Sequence, residues 1–301
     1  MIRADRHPAW LLTETRALLR AHGLRPHRTR GQHFLVDPQV RDRIVEAAGV
    51  GPGSAVVEVG PGTGVLTEAL LLAGASVLAV EVDRGLAQAL RERLRDHPGL
   101  TVHVADALDF DFSRALREQP SWGAIRVVAN IPYYITTPLI LRLLTFREAF
   151  AALFLTVQRE VADRLTAPPG RKAYGALTVA CRYWADVRLV LQIPPTAFFP
   201  VPQVDSALVR LDLLPAPRVP AADPDQLFRV VRAAFGQRRK TLRNALGRAG
   251  WDARAVALAL ARAGIEGGRR GETLSLEEFA RVNDALPAQP DSDRESRQRQ
   301  G

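Results

Sequence analysis

Three glycines, each separated from the next by a single residue, lie between an apolar run and a helical pattern, at Gly60, Gly62 and Gly64. Glycine permits a sharp turn and leaves no Cβ atom between the backbone and a ligand. A dinucleotide fingerprint would require glycine where the chain has Val65, and no phosphate-loop lysine follows. Glu58, just before the loop, would repel phosphates. The loop therefore predicts either a ligand-free tight turn or a site for a nucleotide-like cofactor without phosphates, such as S-adenosylmethionine.

Two carboxylates follow the next two apolar runs of the sequence. Glu81 ends one run, where a carboxylate can accept hydrogen bonds from both hydroxyls of a ribose. Asp106 follows the other run and could accept a hydrogen bond from the amine of an adenine ring. Each of them alone is better explained as a solvated strand end. Together with the glycine loop they mark three consecutive strand ends, and that combination favours a cofactor cleft.

The segment Asn130–Tyr134 carries groups suited to a reaction at an adenine amine. The N6 nitrogen is a poor nucleophile because its lone pair is delocalised into the ring. If the side-chain oxygen of Asn130 and the carbonyl oxygen of Ile131 accept hydrogen bonds from the N6 hydrogens, the lone pair turns towards the methyl donor. Tyr133 is expected to stack on the flipped base, a contact worth about 1–3 kcal/mol. The alternative is a plain turn that caps a strand.

A proline-rich loop, Phe198–Ser206, lies between the last two apolar runs. Its prolines at positions 200 and 202 restrict the backbone. We expect an aromatic side chain of this loop to form the second face of a stack around the base. The alternative role is packing in the hydrophobic core, and we expect one of the two adjacent phenylalanines to be buried there.

An α/β fold is expected to position these residues. Five short apolar runs alternate with helical patterns: Ala55–Val59, Ser76–Val82, Leu100–Val104, Ile125–Ala129 and Ala152–Val157. This alternation predicts a doubly wound, Rossmann-like sheet with parallel strands and helices on both faces. Two further runs, Val187–Ile193 and Ala207–Leu213, are joined by a loop too short for a crossover helix. They are predicted to form an antiparallel hairpin at the sheet edge.

Composition divides the chain into four segments. Residues 1–35 are predicted to form a basic N-terminal helix and arm, and residues 36–217 to form the methyltransferase domain that binds the cofactor. A proline-rich stretch at 214–224 marks the next boundary. Beyond it the pattern is helical only, which predicts a small all-α domain at 218–286. The polar residues 287–301 are predicted to be a disordered tail.

The net charge of +9 is concentrated in the two flanks of the chain. Residues 1–35 carry 7 Arg against 2 acids, residues 36–217 carry 18 basic and 19 acidic side chains, and residues 218–301 carry 16 and 11. Two basic flanks around a neutral centre predict contact with nucleic acid, in part through the C-terminal helices. The alternative, a GC-rich genome, explains Arg in place of Lys but not where the surplus lies.

The same totals exclude several classes of protein. The single cysteine, Cys181, rules out internal disulfides and a cysteine-based zinc site. No metal is expected, since a sulfonium is already a strong electrophile. The longest mainly apolar stretch, Leu70–Val82, is too short to span a bilayer, and no charged-then-apolar leader opens the sequence. We therefore expect a soluble, cytoplasmic protein with no membrane contact.

The chain resembles the ribosomal RNA adenine dimethyltransferase family over about residues 24–286. The segments that carry the resemblance are Gly31–Leu35, Glu58–Thr67, Glu81–Asp83, Asp106–Ala107, Asn130–Tyr134, Val157–Leu165, Phe198–Ser206 and Ala234–Leu242. The segments at 157–165 and 235–242 are similar to the bacterial small-subunit branch of the family.

The resemblance implies roles for individual residues. The implied contacts to S-adenosylmethionine are His33, Leu35, Gly60, Glu81, Asp106 and Asn130. Tyr133 and Phe198 are the aromatic side chains that would stack on the target base. His33 stands where the family more commonly has asparagine, and a histidine can still donate a hydrogen bond to the methionine carboxylate of the cofactor.

The activity that the resemblance implies is methyl transfer to N6 of two adjacent adenines in 16S rRNA, giving N6,N6-dimethyladenosine during 30S subunit biogenesis. The expected partners are small-subunit rRNA and a 30S assembly intermediate, and the enzyme is expected to be a monomer. Two alternatives stay open. One is a large-subunit (23S) rRNA adenine methyltransferase that confers macrolide resistance, and the other is a non-catalytic RNA-binding assembly factor of the same fold.

Overall fold

The structure, a computed structural model, describes residues 9–27, 31–95, 97–119 and 122–288. The first eight residues, residues 28–30 of the predicted basic arm and the predicted tail from residue 289 lie outside the described residues. The chain divides into two compact units. The first comprises residues 1–166 and 184–215, and the second comprises residues 167–183 and 216–301.

The first unit is built around one large sheet. The strands are β1 (Phe34–Leu35), β2 (Ala55–Val59), β3 (Ser76–Glu81), β4 (Leu100–Val104), β5 (Ile125–Asn130), β6 (Ala152–Gln158), β7 (Ala185–Ile193), β8 (Phe198–Phe199) and β9 (Ser206–Leu213). Seven of them form this sheet, in the order β4-β3-β2-β5-β6-β9-β7. The pairs from β4 to β6 are parallel, and β9 runs antiparallel to both β6 and β7. The predicted α/β fold and its edge hairpin are confirmed.

Strand β2 lies at the switch point of this sheet, with β3 on one side and β5 on the other. In doubly wound sheets, ligands bind outside the carboxyl ends of the strands at such a point. The register pairs Val59 of β2 with Val80 and with Ala129 of its two neighbours. The three strands therefore end level, and the residues that follow them meet at one edge.

Helices pack around this sheet and set the direction of the chain after each strand. In the first unit they are α1 (Trp10–Ala21), α2 (Pro38–Ala47), α3 (Val65–Leu72), α4 (Arg84–Arg93), α5 (Phe112–Arg117), α6 (Thr136–Thr145) and α7 (Arg159–Thr166). Asp37, Asp83 and Asp111 cap α2, α4 and α5 by accepting backbone N–H groups. Such caps are each worth about 1 kcal/mol. No helix of the described residues is both long and apolar enough to cross a membrane.

The core of the first unit is centred on strands whose two faces are both covered. Val56 and Val57 of β2, like Val77 and Leu78 of β3, are 0% exposed. Burying such a side chain contributes about 1.5–3 kcal/mol. This continuous apolar character, without alternation, is what a parallel strand covered by helices on both faces requires.

The second unit contains α8 (Ala176–Trp184, of which 176–183 belong here), α9 (Pro224–Gly236), α10 (Leu242–Arg248), α11 (Ala253–Arg262) and α12 (Leu276–Ala285). Residues 167–183 lie within the predicted segment 36–217, but in the structure they group with the C-terminal helices. Aromatic contacts explain the difference. Tyr174 packs on Phe235 with ring centroids 5.7 Å apart, and Tyr183 packs on Phe228 at 5.3 Å.

Candidate active site

The glycine loop adopts backbone angles that favour glycine. Gly60, Gly62 and Gly64 have φ values of 69°, 57° and 80°, in the left-handed region that other residues rarely adopt. A Cβ atom on Gly62 would lie 3.0 Å from Cδ1 of Phe34, so a side chain at this position would require the Phe34 ring to shift. The backbone N–H of Gly60 donates to the carbonyl oxygen of Val80 at 2.9 Å, which ties the loop to β3.

Glu81 holds the loop from the neighbouring strand. The side chain is 4% exposed, its Oε2 accepts from the backbone N–H of Gly62 at 3.0 Å, and its Oε1 accepts from that of Asp83 at 3.0 Å. Burial raises the pKa of this carboxyl, and the backbone hydrogen bonds oppose the rise. Each carboxylate oxygen can accept a second hydrogen bond. Glu81 can therefore order the loop and still accept from a ligand hydroxyl.

Asp106 follows β4 and stabilises its own turn. Its Oδ1 accepts from the backbone N–H of Leu108 at 2.9 Å, and its carbonyl oxygen accepts from the N–H groups of Asp109 and Phe110. The side chain is exposed and lines the same cleft as Glu81. A second carboxylate oxygen thus remains available to a ligand amine.

Asn130, the last residue of β5, is oriented by the arm that precedes α2. Its Nδ2 donates to the carbonyl oxygen of His33 at 2.9 Å, so its Oδ1 is left as the acceptor of the carboxamide. The backbone N–H of Ile131 donates to Thr156 on the next strand at 3.2 Å, which extends the sheet one residue beyond Asn130. The carboxamide is therefore held from both the sheet and the arm.

The arm itself is anchored by a strand pair that sequence analysis did not predict. β1 pairs antiparallel with β8, placing Phe34 opposite Phe199 and Leu35 opposite Phe198. His33, directly before β1, bonds through Nδ1 to the carbonyl oxygen of Pro200 at 2.6 Å. These contacts close the arm over the glycine loop.

Tyr133 lies between the arm and β9. Its hydroxyl is 2.9 Å from Oγ of Ser206, and its ring stacks on the imidazole of His33 with centroids 5.3 Å apart. Burial raises the pKa of the phenol, and the hydrogen bond with Ser206 opposes the rise. A half-buried ring held at both its hydroxyl and one face is a preorganised surface for stacking.

Phe198 does not line the cleft in this structure, and its stacking role stays a prediction. Its side chain is 2% exposed and packs in the main core with Leu35 and Leu208. The strand pair explains the result, since side chains alternate along a strand and β8 turns Phe198 inwards. Phe199 is partly buried elsewhere, with the guanidinium of Arg16 4.8 Å from its ring centroid.

One cleft of about 1000 Å³, open to solvent, unites the other candidate residues. Its lining includes His33, Leu35, Gly60, Glu81, Asp106, Asn130 and Tyr133. Glu58, whose position in the sequence argues only against a phosphate ligand, lines the cleft as well. Within the described residues the lining contains three acidic side chains and no Lys or Arg. Such a lining suits a cationic ligand without phosphates, and S-adenosylmethionine meets both conditions.

Comparison with known proteins agrees with this geometry. The family model described as "Ribosomal RNA adenine dimethylase" matches residues 23–287. A "Ribosomal RNA small subunit methyltransferase A" of Moorella thermoacetica is 47% identical over 277 residues, covering 90% of this chain and 96% of the relative. A protein of the same description from Pelotomaculum thermopropionicum is 48% identical, covering 90% and 95%.

Two solved structures extend the comparison. A dimethyladenosine transferase from Plasmodium falciparum superposes with a TM-score of 0.70 at 26% identity, covering 83% of this chain and 96% of that one. The 23S rRNA methyltransferase ErmE superposes with a TM-score of 0.64 at 30% identity, covering 84% and 99%. The match over nearly the whole chain, together with a cleft built from the expected strand ends, shows that this protein belongs to the ribosomal RNA adenine dimethylase family.

Proposed function

We propose that this protein transfers methyl groups from S-adenosylmethionine to N6 of two adjacent adenines in 16S rRNA, giving N6,N6-dimethyladenosine. The observation that carries the proposal is the convergence of the glycine loop, Glu81, Asp106 and Asn130 in one anionic cleft. The 47–48% identity to small-subunit methyltransferases over 90% of the chain favours that substrate. The 30% identity to ErmE gives weaker support to a 23S rRNA substrate.

S-adenosylmethionine, when bound, supplies a methyl group on a positively charged sulfonium. The protein's part is to hold that cofactor and to orient the amine. Gly60 and Gly62 leave room for a ligand at the backbone, Glu81 accepts from its ribose, and Asp106 accepts from its adenine. His33 and Leu35 belong to the arm that covers the glycine loop.

Asn130 and Ile131 orient the target amine. Because Nδ2 of Asn130 is engaged by His33, the carboxamide presents Oδ1 as acceptor for one N6 hydrogen. The carbonyl oxygen of Ile131 accepts from the other, so that the nitrogen lone pair turns towards the donor. Tyr133 stacks on the base, and Asn130 needs no change of protonation during the reaction. After transfer, the surplus proton leaves the amine for water.

The second unit supplies a basic surface for RNA. Arg239, Lys240, Arg243 and Arg270 are exposed. The backbone N–H of Leu242 donates to the carbonyl oxygen of Arg269 at 2.7 Å, which brings the segments that carry these four side chains together. Four neighbouring cations suit the phosphates of an RNA helix.

Arg238, by contrast, has a structural role within the second unit. Its guanidinium pairs with Glu272 at 3.2 Å and donates to the carbonyl oxygens of Lys172 at 2.7 Å and Tyr174 at 3.3 Å. These bonds attach the segment before α8 to the segment before α12. Arg238 is therefore assigned to folding, and phosphate contact is assigned to its exposed neighbours.

Further parts of the proposal concern the cellular setting. We place the enzyme in the cytoplasm, acting as a monomer on a 30S assembly intermediate with no membrane involvement. The C-terminal helices bind the RNA, and the catalytic cleft receives a flipped base.

Labelled cofactor and undermethylated small subunits test the proposal. We expect label in N6,N6-dimethyladenosine at two adjacent positions of 16S rRNA. Small subunits that already carry the modification are the matched control and are expected to accept none. Label in 23S rRNA, or macrolide resistance of a host that expresses the protein, would instead identify it as a large-subunit rRNA methyltransferase. Tight RNA binding with no transfer to any RNA would favour the non-catalytic assembly factor.

A further inference from the structure

Glu58 lies in the wall of the cleft but has no role in the reaction as described so far. It sits on β2 two residues before Gly60, its side chain is 1% exposed, and it lines the cleft together with Glu81. A buried carboxyl group normally finds a hydrogen-bond donor or a cation. Within the described part of the chain, the Oε2 atom of Glu58 has no hydrogen-bond partner.

The surroundings of Glu58 favour its neutral form. Burial raises its pKa to about 8, a rise that the nearby Thr67 hydroxyl opposes and the Glu81 carboxylate enlarges. Glu68, on the helix that carries Thr67, is instead paired with Arg93 at 2.5 Å. In the free protein at neutral pH, Glu58 is therefore mostly protonated.

Within the described residues, the lining of the cleft contains no Lys or Arg that could pair with Glu58. Besides Glu58, the described cleft lining contains the ionisable side chains of His33, Glu81, Asp106, Tyr133 and Tyr134. The imidazole of His33 is engaged by the carbonyl oxygen of Pro200 at 2.6 Å. A positive charge that could stabilise the ionised form of Glu58 must therefore come with the ligand.

We propose that Glu58 is the counter-ion that selects the positively charged methyl donor, being protonated in the free enzyme and ionised when S-adenosylmethionine is bound. The identity of the ligand rests on the function proposed above. S-adenosylmethionine carries a sulfonium and an ammonium against one carboxylate. S-adenosylhomocysteine, the product, has lost the sulfonium charge and is neutral overall. Glu58 thus favours binding of the donor and release of the product.

The sign of the pH dependence follows from the two protonation states. A cation in a cleft of low dielectric lowers the pKa of a nearby carboxyl, so binding of the donor releases a proton to solvent. Protons then compete with the donor below the free-state pKa of about 8. Affinity for the donor rises with pH by up to about tenfold per unit until that value. The neutral product shows a shallower dependence.

Calorimetry in two buffers with different ionisation enthalpies counts the protons released on binding. At pH 7 we expect close to one proton per S-adenosylmethionine for the wild type and a smaller number for S-adenosylhomocysteine. Glu58→Gln, which keeps the shape of the side chain, is expected to release none and to bind the two ligands with similar pH profiles. Glu46→Gln, at an exposed site of α2, is the matched control and is expected to behave like the wild type.

Each outcome decides the proposal. The same proton release from Glu58→Gln as from the wild type would overturn it, as would equal pH dependence of donor and product binding to the wild type. If Glu58→Gln does not fold, the comparison of donor and product binding to the wild type across pH still tests the proposal. Absence of any binding of S-adenosylmethionine would refute the proposed function instead, whereas binding without proton release would refute only the role of Glu58.

Discussion

Replacement of Glu81 by glutamine tests how the sheet edge shapes the cofactor loop. Both carboxylate oxygens accept backbone N–H groups, from Gly62 and from Asp83, at 3.0 Å each. A glutamine amide has only one oxygen. Whichever way it turns, its NH₂ group faces one of the two N–H donors, and that hydrogen bond is lost in a site only 4% exposed.

The expected magnitude follows from that single lost acceptor. A hydrogen bond to a charged group contributes about 1.5–3 kcal/mol, and an unsatisfied buried donor costs a similar amount. Relief of the cost of burying the Glu81 charge offsets part of the loss in the free protein. We therefore expect the melting temperature to fall by only a few degrees, at about 2–4 °C per kcal/mol. Affinity for S-adenosylmethionine, which needs the ordered loop, should fall by about 10- to 100-fold.

Titration calorimetry with S-adenosylmethionine and thermal unfolding provide the assay. Glu81→Asp keeps the charge but shortens the reach, and we expect it to lose affinity as well, since geometry is what holds the loop. Glu118→Gln, an exposed carboxylate next to α5, serves as the control and should match the wild type. Affinity of Glu81→Gln within twofold of the wild type would refute the reasoning.

Three further predictions concern aromatic and basic side chains and the course of the reaction. Phe198→Ala should lower the free energy of unfolding by about 3–5 kcal/mol in denaturant titrations, whereas Tyr133→Ala should mainly reduce methyl transfer; the reverse pattern would restore Phe198 as the stacking residue. Neutralising Arg239 and Lys240 together should flatten the salt dependence of RNA binding, while Arg238→Ala should destabilise the protein; an unchanged salt slope in the double variant would exclude phosphate contact. A monomethylated adenine should be detectable by nucleoside mass spectrometry at early times, since N6-methyladenosine keeps only one N6 hydrogen for the two acceptors; its absence would indicate processive transfer.

The sequence predicted most of the cleft because parallel strands deliver their carboxyl ends to one edge. A recognisable apolar run leads to each of four cleft residues, Gly60, Glu81, Asp106 and Asn130. The order of the strands was therefore enough to predict that these residues lie close together. The family resemblance added His33 and Leu35, which no local pattern identifies. The hydrogen bonds that orient Asn130 could not be read from the sequence, since the acceptor is a backbone carbonyl 97 residues away.

The features that the sequence left open depend on contacts between distant segments. Which of two adjacent phenylalanines turns inwards depends on the pairing of Phe198 with Leu35 in β1, a strand of only two residues. Arg238 stands in a run of basic residues that resembles a phosphate-binding patch, but its partners are a carbonyl oxygen 66 residues earlier and Glu272. From the sequence, Glu58 indicated only that a phosphate ligand would be repelled. Its burial, and the absence of a hydrogen-bond partner for Oε2 among the described residues, became visible only in the structure.

The most direct test of the account is single-turnover methyl transfer by Asn130→Ala, measured on undermethylated small subunits at saturating S-adenosylmethionine. We expect the rate to fall by about 100-fold or more, equivalent to about 3 kcal/mol of lost transition-state stabilisation. Affinity for the RNA should remain within a few-fold of the wild type. A rate equal to that of the wild type would contradict the claim that Asn130 orients the adenine amine.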